Sequence, residues 1–582
     1  MGGPGAAGEL AIPTVRSLVA LLLAIMGLSI AAPCAAAERI VFYAVKPEII
    51  DGALSALDVK ITLSASDTGE TQLRLPDHGG GATELWRYIS DLAVDGGTLQ
   101  PVTMDAQRVI ESAPGADLTI TYRVISAFDH DPDPRDFEPY KPIIRPHWFR
   151  LYGEALFALP EILASELHFS WEGPPDMAFA STLQSGAGAV LRFRDLQESV
   201  LVGGPELRLA EAEAAGGSVR FALIGRYGFT DQSFSDMAVR IISAERQFWK
   251  SEQAQFLVVL TPISRMPGAV VKRGEGRRGG IAMMTTDDVA MDALKTLIAH
   301  EYFHTWNPMQ LGGMQNGPEQ PGAYWFSEGF TEYYAWRLLL RSGEFSLQNF
   351  ADKWNETLLA YATSPSRTEP NTSIMSGFWS DRGLQMLPYR RGAILAALWD
   401  RALQQESGGR VTLDDLMQAM LKRATALGEA APTAPALFAE VARDLGLDVA
   451  PDIEHFVERG EAIQLPKDAF GACLAVVEGT IPDFDTGYDL EATPHGKIIT
   501  GLKPDSPAFA AGLRDGMHLK FWQGERGNSQ TALIATVDDN GTDRQIKFMP
   551  EGKGTISLQR ISLPADMSAE ETARCADQVA NK

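Results

Sequence analysis

The sequence predicts a multidomain α+β protein: an antiparallel β-sandwich, then a mostly helical central domain, then a small β domain. Three observations carry this. Segments 40–45, 57–63, 71–75 and 118–125 alternate in polarity or are rich in β-branched residues, between Gly, Pro and Asp punctuation. From about 232 onward, apolar positions recur at helical spacing, with one strand-like run at 256–260. Beyond about 466, short strand-like runs return.

Taken in order, residues 1–37 read as a signal peptide. Arg16 supplies positive charge, 18–32 form an apolar core too short for a good membrane span, and Ala35, Ala36 and Ala37 offer a cleavage site before Glu38. The protein is expected to be exported, either to a periplasm or outside the cell. Pro33 stands where a lipid-modified Cys34 would need a small residue, which argues against a lipoprotein. No later stretch is apolar and long enough to span a bilayer, so no stable membrane insertion is expected after cleavage.

Residues 38–221 make the expected sandwich. His78, His130, His147 and His168 lie in it without mutual ligand spacing and read as structural or solvated. The Pro- and Asp-rich run 129–146 is a long connection that can border a site. The chain has 51 basic against 75 acidic residues, a formal charge of −24, which argues against nucleic acid or an anionic membrane as partner.

The central region, 222–465, contains the chemistry. A helix at 232–249 and the strand at 256–260 lead into the run RRGGIAMM at 277–284. A helix follows, entered through Thr285, Thr286, Asp287 and Asp288 and stopped near Asn307 and Pro308, with Leu294, Leu297 and Ile298 as its buried face. It carries AHEYFHTWN at 299–307. Histidines four apart share one face of a helix, so His300 and His304 can offer their imidazoles to a single ion. Glu301 then sits beside the metal position as a general base for the attacking water, not as a ligand.

A catalytic zinc site takes three protein ligands, and Glu328 in WFSEGFTEYY (325–334) is the third candidate. Ser327 is expected to cap a second helix that runs until Gly343, with Glu332 one turn beyond Glu328 placed to fix a histidine tautomer. One Zn2+ per chain is expected.

The pair HEYFHTWN and WFSEGFTEYY resembles the glycyl-aminopeptidase family of gluzincin zinc metallopeptidases. That resemblance implies a thermolysin-like catalytic domain between a β-rich N-terminal domain and a C-terminal PDZ domain. It also implies hydrolysis of a peptide or protein substrate. LPYRRG (387–392) is similar to the segment in which the family supplies an oxyanion tyrosine, here Tyr389 at the start of a helix. Such a donor stabilises the transition state by about 3 kcal/mol. Arg391 keeps the charge that the family usually carries there as lysine. Gly279 and Gly280 resemble the edge strand of the substrate cleft, where the family places a glutamate for the substrate amine. This chain has Ala282 instead, which favours an endopeptidase or another exopeptidase as the alternative to an aminopeptidase. Arg273, Arg277 and Arg278 beside it can bind a substrate carboxylate or be solvated.

Residues 466–565 resemble a PDZ domain through SPAFAAGLRDG (506–516), although 523–543, where a peptide-binding groove helix belongs, shows no helical pattern. The resemblance leaves a peptide ligand for this domain open, and with it a contrary reading in which the chain is a binding protein with a non-catalytic zinc site. A tail, 566–582, closes the chain. Cys473 and Cys575 are expected to form a disulfide in an oxidising compartment, the alternative being two separate thiols.

Overall fold

A computed structural model describes residues 39–581 except 135–137, 163, 165, 185–190, 253–254, 266–269, 316, 491, 494–497 and 540. The expected signal peptide and its cleavage site lie outside the described residues.

The N-terminal region is β-rich, as expected. Ile40–Ile50 buries Val41, Tyr43 and Val45 on one face and sits in a five-stranded sheet with Ala53–Ser64, Asp117–Ile125, Ile89–Asp95 and Glu166–Trp171. A four-stranded sheet containing Glu70–Arg74 and Gln107–Glu111 contributes to the same apolar core. The sandwich is not purely antiparallel, because Glu166–Trp171 returns after a long connection and pairs parallel to Ile40–Ile50. A further four-stranded sheet, Phe179–Ser181, Val200–Gly203, Trp148–Tyr152 and Ile143–Arg145, packs against the next domain: Tyr152, Val200 and Val202 share a core with Ala222, Leu257, Val259 and Ala282.

The central region begins earlier than 222. Strand Gly217–Leu223 runs through the expected division and pairs parallel with Gln255–Pro262, and its hairpin partner Arg208–Ala214 joins the same sheet. Sheet pairing at long range decides that boundary, and local pattern does not reveal it. The sheet order is Arg208–Ala214, Gly217–Leu223, Gln255–Pro262, Gly280–Thr285, Lys272–Arg277. Gln255–Pro262 is buried along almost its whole length because both of its faces are covered. Helices Asp231–Trp249, Met291–Phe303, Tyr324–Arg341, Leu347–Thr363 and Arg382–Ser407 share one large core with the sheet.

Three helix starts differ from expectation. Met291–Phe303 begins after Ala290 without a side-chain cap, since Thr285 ends a strand and Asp287 pairs with Arg265. Ser327 lies buried inside the first turn of Tyr324–Arg341 and does not cap it. Tyr389 is two turns into Arg382–Ser407, which starts on the Asp381 cap and accommodates Pro388 in its interior.

In the C-terminal region, Ala475–Phe484 pairs with Glu551–Ser562, and His518–Gln523, Leu533–Asp539 and Thr542–Phe548 form a separate three-stranded sheet. Between 466 and 565 the only helix among the described residues is Pro507–Ala510, and 523–543 holds a loop, strand Leu533–Asp539 and the start of Thr542–Phe548. Asn355 exchanges two hydrogen bonds with the Ile561 backbone, docking this region on helix Leu347–Thr363. The tail is a helix, Ala569–Asn581, whose Ala580 carbonyl accepts from Arg337 Nε at 3.1 Å. Cys473 and Cys575 are bridged, with Cα atoms 5.8 Å apart. No helix among the described residues is long and apolar enough to cross a membrane.

Candidate metal centre

His300 and His304 lie on one face of helix Met291–Phe303 and its C-cap, with their Nε2 atoms 3.1 Å apart. Glu328, from the first turns of Tyr324–Arg341, places Oε2 3.2 Å from His300 Nε2 and 3.4 Å from His304 Nε2. The three potential ligand atoms lie within 4.8 Å of one another. Two imidazole nitrogens and a carboxylate oxygen converging in a mostly buried place are a donor set suited to zinc.

A neighbouring carbonyl fixes the tautomer of His304. His304 Nδ1 donates to the Asn307 carbonyl at 2.8 Å, which leaves the lone pair on Nε2. Asn307, fully buried, also sends its Nδ2 to Phe326 O, Ser327 O and Thr331 Oγ1 at 3.1–3.3 Å. One side chain therefore ties the end of the histidine helix to the start of the glutamate helix. Its place directly after the zinc motif was the only sequence signal for this role. Glu332 Oε1 stands 3.7 Å from His300 Nδ1, on the expected side but beyond hydrogen-bond length.

Without a cation the charges in the cluster compensate one another. Burial alone would lower His304, but the Glu328 carboxylate, through its charge and its hydrogen bond, more than offsets this and lifts the imidazole to about 9. His300 is raised in the same way: burial opposes, and the Glu328 hydrogen bond leads the raising causes. Burial also opposes ionisation of Glu328, yet the two histidines hold it well below the usual carboxylate range. A divalent ion would take over the role of those protons.

Tyr389 faces this cluster, its ring stacked on His300 at 6.0 Å between centroids. Burial and then the charge of Glu328 raise its pKa, so the phenol stays protonated and can donate. Neighbouring Arg391 is fully buried and donates to main-chain carbonyls of Arg367, Glu369 and Val457, so it braces the fold and does not face the cleft.

The cleft is bordered by a different strand from the one expected. The edge strand is Lys272–Arg277, not Gly280–Thr285, which lies one strand inward and is wholly buried. Gly280 and Ala282 are therefore core residues; of the expected trio only Gly279, in the hairpin turn, borders the cleft. Gly274 and Gly276 lie against the zinc-motif helix: a Cβ on Gly274 would stand 2.7 Å from Glu301 Cγ, and one on Gly276 3.3 Å from His304 Cβ. Between them is Glu275, the cross-strand partner of Ala282. It accepts a hydrogen bond from Tyr140 Oη at 2.8 Å. Burial, and next the charge of Glu301, push Glu275 up to about 7. The alternation Gly274-Glu275-Gly276 is the sequence signal for a strand pressed against a helix.

The long connection 129–146 does border the site, through Tyr140. Arg277 pairs with Glu154, and Arg278 with Glu198 at 2.9 Å and Asp195 at 3.3 Å. The whole forms a cleft of about 2100 Å³.

Residues 293–385 match the M61 glycyl aminopeptidase family, a span that includes His300, Glu301, His304, Glu328 and Glu332 and stops short of Tyr389. No curated protein matches the chain. Among solved structures, an aminopeptidase N family protein from Idiomarina loihiensis superposes with a TM-score of 0.66 at 15% identity, covering 93% of this chain and 99% of that one, and so has the same overall fold. An M1 zinc metallopeptidase from Deinococcus radiodurans is more distant, with a TM-score of 0.44 at 16% identity over 74% of this chain and 95% of that one.

Proposed function

We propose that this chain, whose catalytic core is that of an M61 glycyl aminopeptidase, is an exported zinc aminopeptidase holding one zinc ion between His300, His304 and Glu328. The observation that carries the reading is the convergence of those three ligand atoms in one cleft with Glu301 and Tyr389. Zinc held there supplies Lewis-acid polarisation of a substrate carbonyl and makes an attacking water more acidic.

The chain's own groups do the rest. Glu301 takes the proton of the attacking water and passes it to the leaving amine. Tyr389 donates to the carbonyl oxygen as charge grows on it. An extended peptide adds to the edge of Lys272–Arg277, which has no strand partner on its outer side among the described residues. Glu275 takes the substrate ammonium, supplying from the edge strand the carboxylate that position 282 lacks. The disulfide supports an oxidising destination, in keeping with the N-terminal targeting segment.

A second reading, endopeptidase action, is favoured by the cleft's continuation past Glu275 to Arg278, Arg194 and Gln255, which leaves room upstream of the cleaved bond. The PDZ-like region is read as a packing unit: its loop approaches the catalytic helices so closely that a Cβ on Gly527 would stand 2.8 Å from Thr363 O.

Hydrolysis of free and N-acetylated peptides by purified protein and by Glu301→Gln, with zinc content measured in both, tests the proposal. Zinc near one per chain in both proteins, with turnover lowered by about 10²-fold or more in the variant, is expected. Full activity in Glu301→Gln would refute the mechanism, and equal use of acetylated peptides would move the assignment to an endopeptidase.

A further inference from the structure

Of the three arginines on the edge strand and its turn, Arg277 and Arg278 are spoken for by Glu154, Glu198 and Asp195. Arg273 has no carboxylate partner among the described residues. It lies on the same face of the strand as Glu275, two residues earlier and so about 7 Å away. Across the cleft, Arg382 has only Gln385 as a side-chain partner and likewise no carboxylate among the described residues. Arg382 is seven residues before Tyr389 on one helix, hence on the same face and about 10 Å away. The two guanidiniums feel each other: after burial, the Arg273 charge is the next cause that lowers the pKa of Arg382.

Glu275, Glu301, Glu328 and Glu332 line the cleft at the metal and amine positions, and Arg273 and Arg382, with no carboxylate partner among the described residues, line the same cleft, as does Lys272. The Trp379 side chain is 70% exposed at the cleft wall, an apolar surface that solvent alone does not favour.

We infer that Arg273 and Arg382 form an anion subsite that selects peptides with a carboxylate two or three residues after the free amine. This rests on the aminopeptidase reading above. A peptide with its amine at Glu275 and its first carbonyl between the metal position and Tyr389 must continue toward Arg382. At about 3.3 Å per extended residue, its second or third residue arrives between the arginines. The carboxylate has two sources, an acidic side chain or the free C-terminus of a short peptide.

Four substrates separate these: amidated tetra-alanine, tri-alanine with a free C-terminus, and amidated Ala-Ala-Asp-Ala and Ala-Ala-Lys-Ala. The wild-type protein is expected to prefer one or both carboxylate substrates over the neutral amide in kcat/KM by about tenfold or more, decreasing with salt. Preference for tri-alanine alone identifies the chain end as the source, and preference for the Asp peptide identifies the side chain. Arg273→Glu with Arg382→Glu is expected to reverse the Asp-over-Lys ratio, which is read within one sample and so is insensitive to partial misfolding. A wild-type protein that cleaves all four within about twofold, or a double variant that keeps the wild-type ratio, overturns the subsite but leaves the aminopeptidase standing. Turnover of none of the four removes both.

Discussion

Gly329 and Gly392 touch backbone to backbone: a Cβ on Gly329 would stand 2.3 Å from Gly392 Cα, and one on Gly392 1.8 Å from Trp325 O. This contact seats helix Tyr324–Arg341 against Arg382–Ser407 and thereby sets Glu328, the neighbour of Gly329, opposite Tyr389, one turn from Gly392. Gly392→Ala is accordingly expected to cost about 1–3 kcal/mol or more in overpacking and to lower turnover with it. Denaturant melts together with kcat check this, and an unchanged midpoint would show that the helices have slack.

Tyr389→Phe removes one donor and little volume. A fall in kcat of about 10²–10³-fold with KM within a few-fold is expected if the phenol serves only the transition state. A change confined to KM would reassign the residue to substrate binding.

Glu275 gives the pH dependence. Burial, followed by the Glu301 charge, holds it near 7, so it is neutral below that pH and ionised above it. For free-amine peptides, kcat/KM should climb as pH rises through about 7. Glu275→Gln should lose this limb and the preference for a free amine together. The stability sign is the reverse: a carboxylate whose folded pKa is raised contributes stability at low pH that is lost as pH rises through about 7. An unaltered profile in the variant would remove Glu275 from amine recognition.

Chelation should abolish hydrolysis, and added Zn2+ should restore it. Because Glu332 stops 3.7 Å short of His300 Nδ1, Glu332→Gln is expected to weaken zinc affinity by only about tenfold. Competition with a chromophoric chelator measures this, and complete loss of metal would mean that Glu332 is a ligand.

The disulfide closes a separation of 102 residues between Cys473 and Cys575. Replacing both cysteines by serine should cost roughly 4–5 kcal/mol on a chain-entropy basis. Thermal melts with and without reductant give the comparison, and coincident curves would show that the bridge contributes nothing.

Local periodicity sufficed for much of this protein. The four-residue spacing of His300 and His304 needs only one helix, and Glu328 with Glu332 follows from a second, so the cluster that could hold a metal ion was readable from the chain. The strand alternation around Val41, Tyr43 and Val45 was as plain. Helix starts were not, because Thr285 and Ser327 look like caps until the sheet and the core claim them.

Tertiary structure alone decided the rest. Which strand lies at the sheet edge depends on pairing between segments, and this made Ala282 a core residue and put its cross-strand partner Glu275 beside the site. Tyr140 reaches that carboxylate from 135 positions away, a contact with no local pattern to announce it. Which arginines keep their charge uncommitted was likewise set only when Glu154, Glu198 and Asp195 were brought to Arg277 and Arg278. Ligand spacing is a property of one helix turn, whereas substrate recognition comes from side chains that meet only after distant strands and helices have packed.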